Sequence, residues 1–172
     1  GFLSIFTPNP EQFVFAHKHK EFLNVLRANA VNLPDGAGVV WALRRHRNNT
    51  TAVRIAGREV FHALLVKAKQ KHWRVCLVGG KAGSARAVIE KYGEDLPWVY
   101  DPGAVTIARE TLSEKQRVLR MIARLRPHLV FIAYGAPWQE QWIANNQEEL
   151  RACGVQVAMA VGGSFEYEAG KV

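Results

Sequence analysis

The run Leu129-Val130-Phe131-Ile132-Ala133 is five apolar residues long, with no polar alternation. A strand with one wet face would alternate, and a helix would be longer, so the run predicts a strand buried on both faces. Arg74 to Val78 and Val155 to Val161 read the same way, and shorter strands are expected at Leu3 to Phe6, Ala30 to Leu33 and Trp98 to Tyr100. Helical patterns lie between them. Val60, Phe61, Leu64, Leu65 and Ala68 mark one buried stripe, and Val118, Met121, Ile122 and Leu125 mark another. Further helices are predicted over Ala37 to Arg47, Ser84 to Tyr92 and Pro137 to about Ala152. Asn9 with Pro10 and Glu11 reads as a helix start, and Thr111-Leu112-Ser113-Glu114 has capping-box spacing. Doubly buried strands alternating with helices define an α/β, Rossmann-like fold. Its sheet is mostly parallel with helices on both faces, in a single domain over 1–172.

The chain carries 23 Lys and Arg against 15 Asp and Glu, a net charge of +8. A phosphorylated small substrate, an anionic membrane face or nucleic acid can all use such a charge. No RNA-binding aromatic signature or zinc-finger spacing is present, so nucleic acid is not among the expected partners. Most of the basic residues, such as Arg44-Arg45-His46-Arg47 and Arg117, Arg120, Arg124 and Arg126, read as solvated helix faces. Cys76 reads as a buried thiol, and two cysteines make no disulfide framework. No apolar stretch approaches the roughly 18 residues of a membrane span. Without a strongly apolar, basic terminal helix, these 172 residues are expected to bind anionic vesicles weakly. A homo-oligomer is compatible with this reading.

In an open parallel sheet, ligands bind beyond the carboxyl ends of the strands. The loops there are Thr7-Pro8-Asn9-Pro10-Glu11, Pro34-Asp35-Gly36-Ala37-Gly38, Gly79-Gly80-Lys81-Ala82-Gly83, Tyr134 to Glu140 and Gly162-Gly163-Ser164-Phe165-Glu166. Each precedes a helix start, where free N–H groups and the helix dipole attract phosphate, so together they suit a nucleotide diphosphate. Asp35 follows an apolar strand at a sharp turn. It is placed either to act as a general base or to cap the helix that follows. The three aspartates, Asp35, Asp95 and Asp101, form no Asp-x-Asp element, and His17 and His19 fall on different sides of a helix, so no metal is expected. No cofactor is expected either. There is no Gly-x-Ser-x-Gly elbow and no Walker loop. Gly79-Gly80-Lys81-Ala82-Gly83, with Asp101 further on, offers a second reading as a nicotinamide-dependent oxidoreductase. Its spacing, however, departs from Gly-x-Gly-x-x-Gly.

At these loops the sequence resembles the bacterial WecG/TagA/CpsF glycosyltransferases. The shared elements are Thr7-Pro8-Asn9-Pro10-Glu11, Pro34-Asp35-Gly36-Ala37-Gly38, Arg54-Ile55-Ala56-Gly57, Leu77-Val78-Gly79-Gly80, Ala136-Pro137-Trp138-Gln139-Glu140-Gln141-Trp142 and Val161-Gly162-Gly163-Ser164-Phe165. The resemblance implies an inverting, metal-independent transferase that moves N-acetylmannosamine from a UDP-sugar donor to a polyprenyl-diphosphate-linked N-acetylglucosamine. It implies Asp35 as catalytic base, Thr7 and Asn9 beside sugar and acceptor, and Arg54 and Gln139 beside the donor or the developing charge. Gly79, Gly80, Glu140, Gly162 and Gly163 would complete the substrate loops. Glu166 would sit near the nucleotide base, where the family carries Asp. The family continues past Ala169-Gly170-Lys171-Val172 into a basic, amphipathic segment thought to reach the membrane. The chain is therefore expected to be a truncated form, cytoplasmic and peripheral at the inner face of the cell membrane, with that missing segment meeting the anionic surface.

Overall fold

The computed structural model describes residues 1–28, 30–47 and 51–171. Strands β1 (Leu3–Phe6), β2 (Ala30–Asn32), β3 (Val75–Gly79), β4 (Trp98–Asp101), β5 (Leu129–Ala133) and β6 (Val157–Ala160) form one sheet in the order β2-β1-β6-β5-β3-β4. Every pairing is parallel. Around it, among the described residues, lie helices α1 (Pro10–Lys18), α2 (Lys20–Arg27), α3 (Ala37–Arg47), α4 (Gly57–Gln70), α5 (Ser84–Tyr92), α6 (Leu112–Leu125), α7 (Trp138–Asn145), α8 (Gln147–Ala152) and α9 (Ser164–Glu168), with a 3-10 turn at Ile107–Arg109. The expected α/β class and parallel sheet are thus present. Of the polar loop predicted at 48–51, residues 48–50 lie outside the described residues.

Strand alternation sorts the core into two layers. Val75, Leu77, Leu129, Phe131, Ala133 and Met159 point to one face, where Phe61 and Leu65 of α4, Ala85 and Val88 of α5 and Phe165 of α9 cover them. Cys76, Val78, Val130, Ile132, Ala158 and Ala160 point to the other. There they meet Ala16 of α1, Phe22 and Leu26 of α2, Val118 and Ile122 of α6, Ile143 of α7 and Leu150 of α8. Strands buried on both faces cannot show polar alternation, which is why these runs are continuously apolar. Burial also pushes the Cys76 thiol far up, so it remains protonated.

Two helices break where the sequence gives no punctuation. The stretch from Pro137 to Ala152 is two helices. Buried Asn146 turns its side-chain amide back to donate to the Trp142 carbonyl at 2.7 Å, offering the backbone an alternative to continuing. The first helix breaks at His19, which is extended and stacks on Phe15 with ring centroids 4.0 Å apart. Buried Gln12 and Ala16 mark the inward stripe of α1, and a continuous helix would carry Phe22 about 100° away from its centre. The break lets Phe22 and Leu26 of α2 face the core. His19 therefore caps rather than occupies a helix.

Candidate active site

Because all six strands run the same way, the loops singled out in the sequence gather at one rim of the sheet. The helix after β1 crosses to one face and the helix after β6 to the other, which opens a crevice between these neighbouring strands. A cleft of about 320 Å³ occupies that point, lined by Thr7, Asp35, Arg54, Gly57, Gly163 and Ser164, with Arg58 and Tyr167 beside them.

Asp35 is fixed from two sides. Arg54 Nε donates to its Oδ1 at 3.2 Å, and the Gly57 backbone N–H donates to its Oδ2 at 3.3 Å. Gly57 is the first residue of α4, so the carboxylate caps that helix across the cleft. The cap anticipated for the helix directly after Asp35 is thus formed with α4, a non-local element that short-range spacing cannot reveal. The side chain stays 28% exposed, and Arg54 is 58% exposed, so both are open to a ligand.

Thr7 leaves the end of β1 and presses on Gly57. A Cβ added at Gly57 would stand 2.8 Å from Thr7 Oγ1 and 3.0 Å from its Cγ2. The glycine is what brings α4 close enough for Asp35 to reach its first N–H. Arg58, one residue on, lies over the ring of Tyr167 at 4.7 Å and adds a second cation to the rim.

Behind the cleft is a buried polar brace. Asn9 caps α1, accepting from Gln12 N at 3.0 Å, while the Gln12 side chain accepts from Asn9 N at 3.1 Å. Gln12 Nε2 then donates to Glu140 Oε1 at 3.0 Å, and Gln139 Nε2 donates to the same oxygen at 3.1 Å. Gln139 Oε1 accepts from Gly135 N at 3.2 Å and from Gly162 N at 2.9 Å. The loops after β1, β5 and β6 are held in register by this chain of amides. Glu140 is 1% exposed and burial raises its pKa.

The expected site residues therefore fall into three groups. Thr7, Asp35, Arg54 and Gly163 line the cleft. Asn9, Gln139, Glu140 and Gly162 form the brace, and Gln139 and Glu140 are buried in it rather than facing the cleft. Gly79, Gly80 and Glu166 belong to a separate junction. Glu166 Oε1 accepts from Lys81 N at 2.6 Å and from Ser84 Oγ at 3.0 Å, so the protein's own carboxylate holds the start of α5. A Cβ at Gly80 would meet Phe165 at 2.7 Å, and one at Gly79 would meet the Ala133 carbonyl at 2.9 Å. These glycines serve close packing. Asp101 is likewise engaged, bidentate to Arg117 at 2.9 Å and accepting from Gly103 N at 2.7 Å. The carboxylate and the glycine loop that suggested a dinucleotide site are thus committed to internal contacts.

Sequence reading missed Gly57, Arg58, Tyr167 and Gln12 as site residues. Gly57 ends the element Arg54-Ile55-Ala56-Gly57, which was its available signal. Gln12 stands at the third position of its helix after an Asn cap, where Gln completes a capping box. Nothing local, however, indicates its reach to Glu140. Among the described residues, no three His, Cys, Asp or Glu side chains gather as a metal site, and no helix is long and apolar enough to cross a membrane.

Known proteins are similar to this chain over nearly its whole length. The chain is 35% identical over 172 residues to the N-acetylglucosaminyldiphosphoundecaprenol N-acetyl-beta-D-mannosaminyltransferase of Bacillus subtilis (strain 168), covering 98% of this chain and 63% of that protein. Proteins of the same name from Staphylococcus aureus strains MRSA252 and NCTC 8325 / PS 47 are 29% identical over 171 residues, again with 98% and 63% covered. The chain spans less than two thirds of the length of these relatives. A family model described as Glycosyl transferase WecG/TagA/CpsF family matches residues 2–172, and the chain belongs to that family.

Proposed function

We propose that the chain is the donor-binding and base-bearing part of an inverting N-acetylmannosaminyltransferase. It would use a UDP-sugar and a polyprenyl-diphosphate-linked N-acetylglucosamine at the inner face of a bacterial membrane. The observation that carries this reading is the placement of Asp35. It lies in a rim cleft between Thr7 and the start of α4, with the cations Arg54 and Arg58 alongside. A carboxylate lining a cleft that also carries two arginines is what this transfer requires. The acceptor hydroxyl gives its proton to Asp35 and its oxygen bonds to the anomeric carbon. The bond from that carbon to the diphosphate breaks, and UDP leaves with the electron pair. Arg54, Arg58 and the positive end of α4 would take up the charge that develops on the leaving diphosphate. Transfer without a metal is part of the proposal, on the ground that the sequence has no Asp-x-Asp element.

The test uses a chain extended to the full length of the relatives, supplied with UDP-N-acetylmannosamine and a short-chain lipid-diphosphate N-acetylglucosamine. The expected product is the lipid-linked disaccharide with inverted anomeric configuration. A retained configuration, or no product with a folded protein that fails to bind UDP, overturns the reading.

A further inference from the structure

Helix α3 begins directly beyond Asp35 and leaves most of its surface uncovered. Val39 and Val40 are buried and Leu43 half-buried, which fixes the inward side. Trp41 and Arg45, one turn apart, lie on the opposite side, with the Arg45 guanidinium 5.7 Å from the ring centroid of Trp41. Trp41 is 64% exposed. Arg44 donates to the Ala52 carbonyl at 2.9 Å, tying the returning segment to the helix beside exposed Val53. That segment then reaches the cleft, where Ile55 N donates to the Pro34 carbonyl and Arg54 meets Asp35.

The charge along this stretch has one sign. Between Asp35 and Glu59 the sequence holds Arg44, Arg45, Arg47, Arg54 and Arg58 and no acidic residue. Solvated helix faces usually mix both signs, and they do not gain by exposing a tryptophan. The sequence alone assigns these arginines to such a face; the exposed Trp41 beneath Arg45 and the lack of any acid among them argue otherwise. Basic residues near an anionic leaflet each strengthen binding about severalfold, and tryptophan favours the headgroup level. We propose that α3 and the returning residues Ala52 to Arg54 form the surface by which this protein docks on an anionic bilayer. Trp41 enters the headgroup region, Arg44 and Arg45 meet lipid phosphates, and the mouth of the Asp35 cleft is held at the lipid. The docking stands on charge and exposure; its service to a lipid-linked acceptor rests on the transferase reading above.

The test is co-sedimentation of the 172-residue chain with phosphatidylcholine vesicles, with and without phosphatidylglycerol, at low and high salt. Binding is expected only with the anionic lipid and should weaken as salt rises. Replacing Trp41→Ala together with Arg45→Gln should lower the partition coefficient about tenfold or more. Arg120→Gln with Arg124→Gln on α6 should leave it within about twofold, although it removes more charge. Brominated lipid should quench the wild-type fluorescence more than that of Trp41→Phe. The circular-dichroism melt of each variant checks folding, and Arg44→Gln with Arg45→Gln replaces the first pair if that pair unfolds. The proposal is overturned if the α6 pair matters as much as the α3 pair, or if duplex DNA competes through the same residues without lipid preference. It is also overturned if the chain is a dimer that Trp41→Ala dissociates. UDP calorimetry is run alongside. Vesicle binding without UDP binding keeps the docking and removes the transferase reading, whereas UDP binding without α3-dependent vesicle binding removes the docking alone.

Discussion

Gln12 and Glu140 stand 128 residues apart in the chain and 3.0 Å apart in the fold. Their contact joins the helix after β1 to the helix after β5 on one face of the sheet, past β6, which lies between those two strands. Both amides of the brace donate to Glu140 Oε1, and Oε2 has no partner among the described residues. Burial of a carboxyl in this position disfavours its charged form and raises its pKa. Glu168, also buried, has the opposite character. Burial alone would raise its pKa, but hydrogen bonds from Lys91, Tyr92 and His62 outweigh that and hold it down.

The two carboxyls should therefore give opposite pH dependences of stability. For Glu140 the folded value lies above the unfolded one, so its contribution is complete below the usual carboxylate range and is lost as pH rises through the raised value. For Glu168 the folded value lies below, so its contribution is complete above that range and is lost as pH falls through the depressed value. Urea midpoints of wild type, Glu140→Gln and Glu168→Gln across pH check this. Wild type should lose ground to Glu140→Gln as pH rises, and its advantage over Glu168→Gln should shrink as pH falls. Slopes of the same sign would contradict the assignment.

Asp35→Asn keeps an acceptor for the Gly57 N–H and removes the base. In a chain of the relatives' full length, turnover should fall at least about 10²-fold, within the usual range for positioned general-base catalysis. UDP affinity should change little. The melting temperature should move by only a few degrees, because the lost pair with Arg54 is largely exposed. Steady-state kinetics and a thermal melt on the same preparation decide the matter. Undiminished turnover with a weakened fold would make Asp35 a cap alone.

Gly57→Ala places a methyl group 2.8 Å from Thr7 Oγ1. The expected cost is about 1–3 kcal/mol, as for other overpacked sites. Thr7→Ala removes the two nearest atoms and leaves only Cβ, at 3.2 Å, so the double variant should recover most of the stability. It should not recover UDP binding, because Thr7 lines the cleft. Denaturant unfolding of the double-mutant cycle, with calorimetry on each member, gives both readings. Additive stability losses would show that the close approach is not what Gly57 provides.

UDP should raise the melting temperature and NAD should not, since Glu166 already accepts from the Lys81 N–H and the Ser84 hydroxyl in the loop that leads into α5. At a hundred times its dissociation constant a ligand adds about 2.7 kcal/mol. The UDP shift should persist in EDTA. A shift with NAD, or complete loss of the UDP shift in chelator, would reject the respective statement.

Strand placement was legible because doubly buried strands are continuously apolar, and the rim loops followed from all-parallel order. Asp35 was legible as a strand-end carboxylate, and the cap at Asn9 and the capping box at Thr111 are written in local spacing. What local spacing does not carry is the partner across the fold. Asp35 caps α4 rather than α3, Glu166 serves α5, and Gln12 meets Glu140. The helix break at Asn146 was hidden for a related reason. It depends on a side chain turning back onto its own helix, and Asn carries that option wherever it stands.

The pairing of β1 with β6 sets Leu3 against Val157, Ser4 against Ala158 and Ile5 against Met159. A nascent chain leaving the ribosome has β1, β2, β3 and β5 long before it has β6, and the place between β1 and β5 cannot be filled until β6 is made. Until then both neighbours present unpaired edges, the state in which a chain most invites wrong partners and chaperones. The cleft needs Thr7, which precedes β2, and Ser164, which follows β6, so it comes into being only as the sheet is completed. Ligand capture at this cleft would thus report a completed sheet, because a molecule that still lacks β6 has no such cleft.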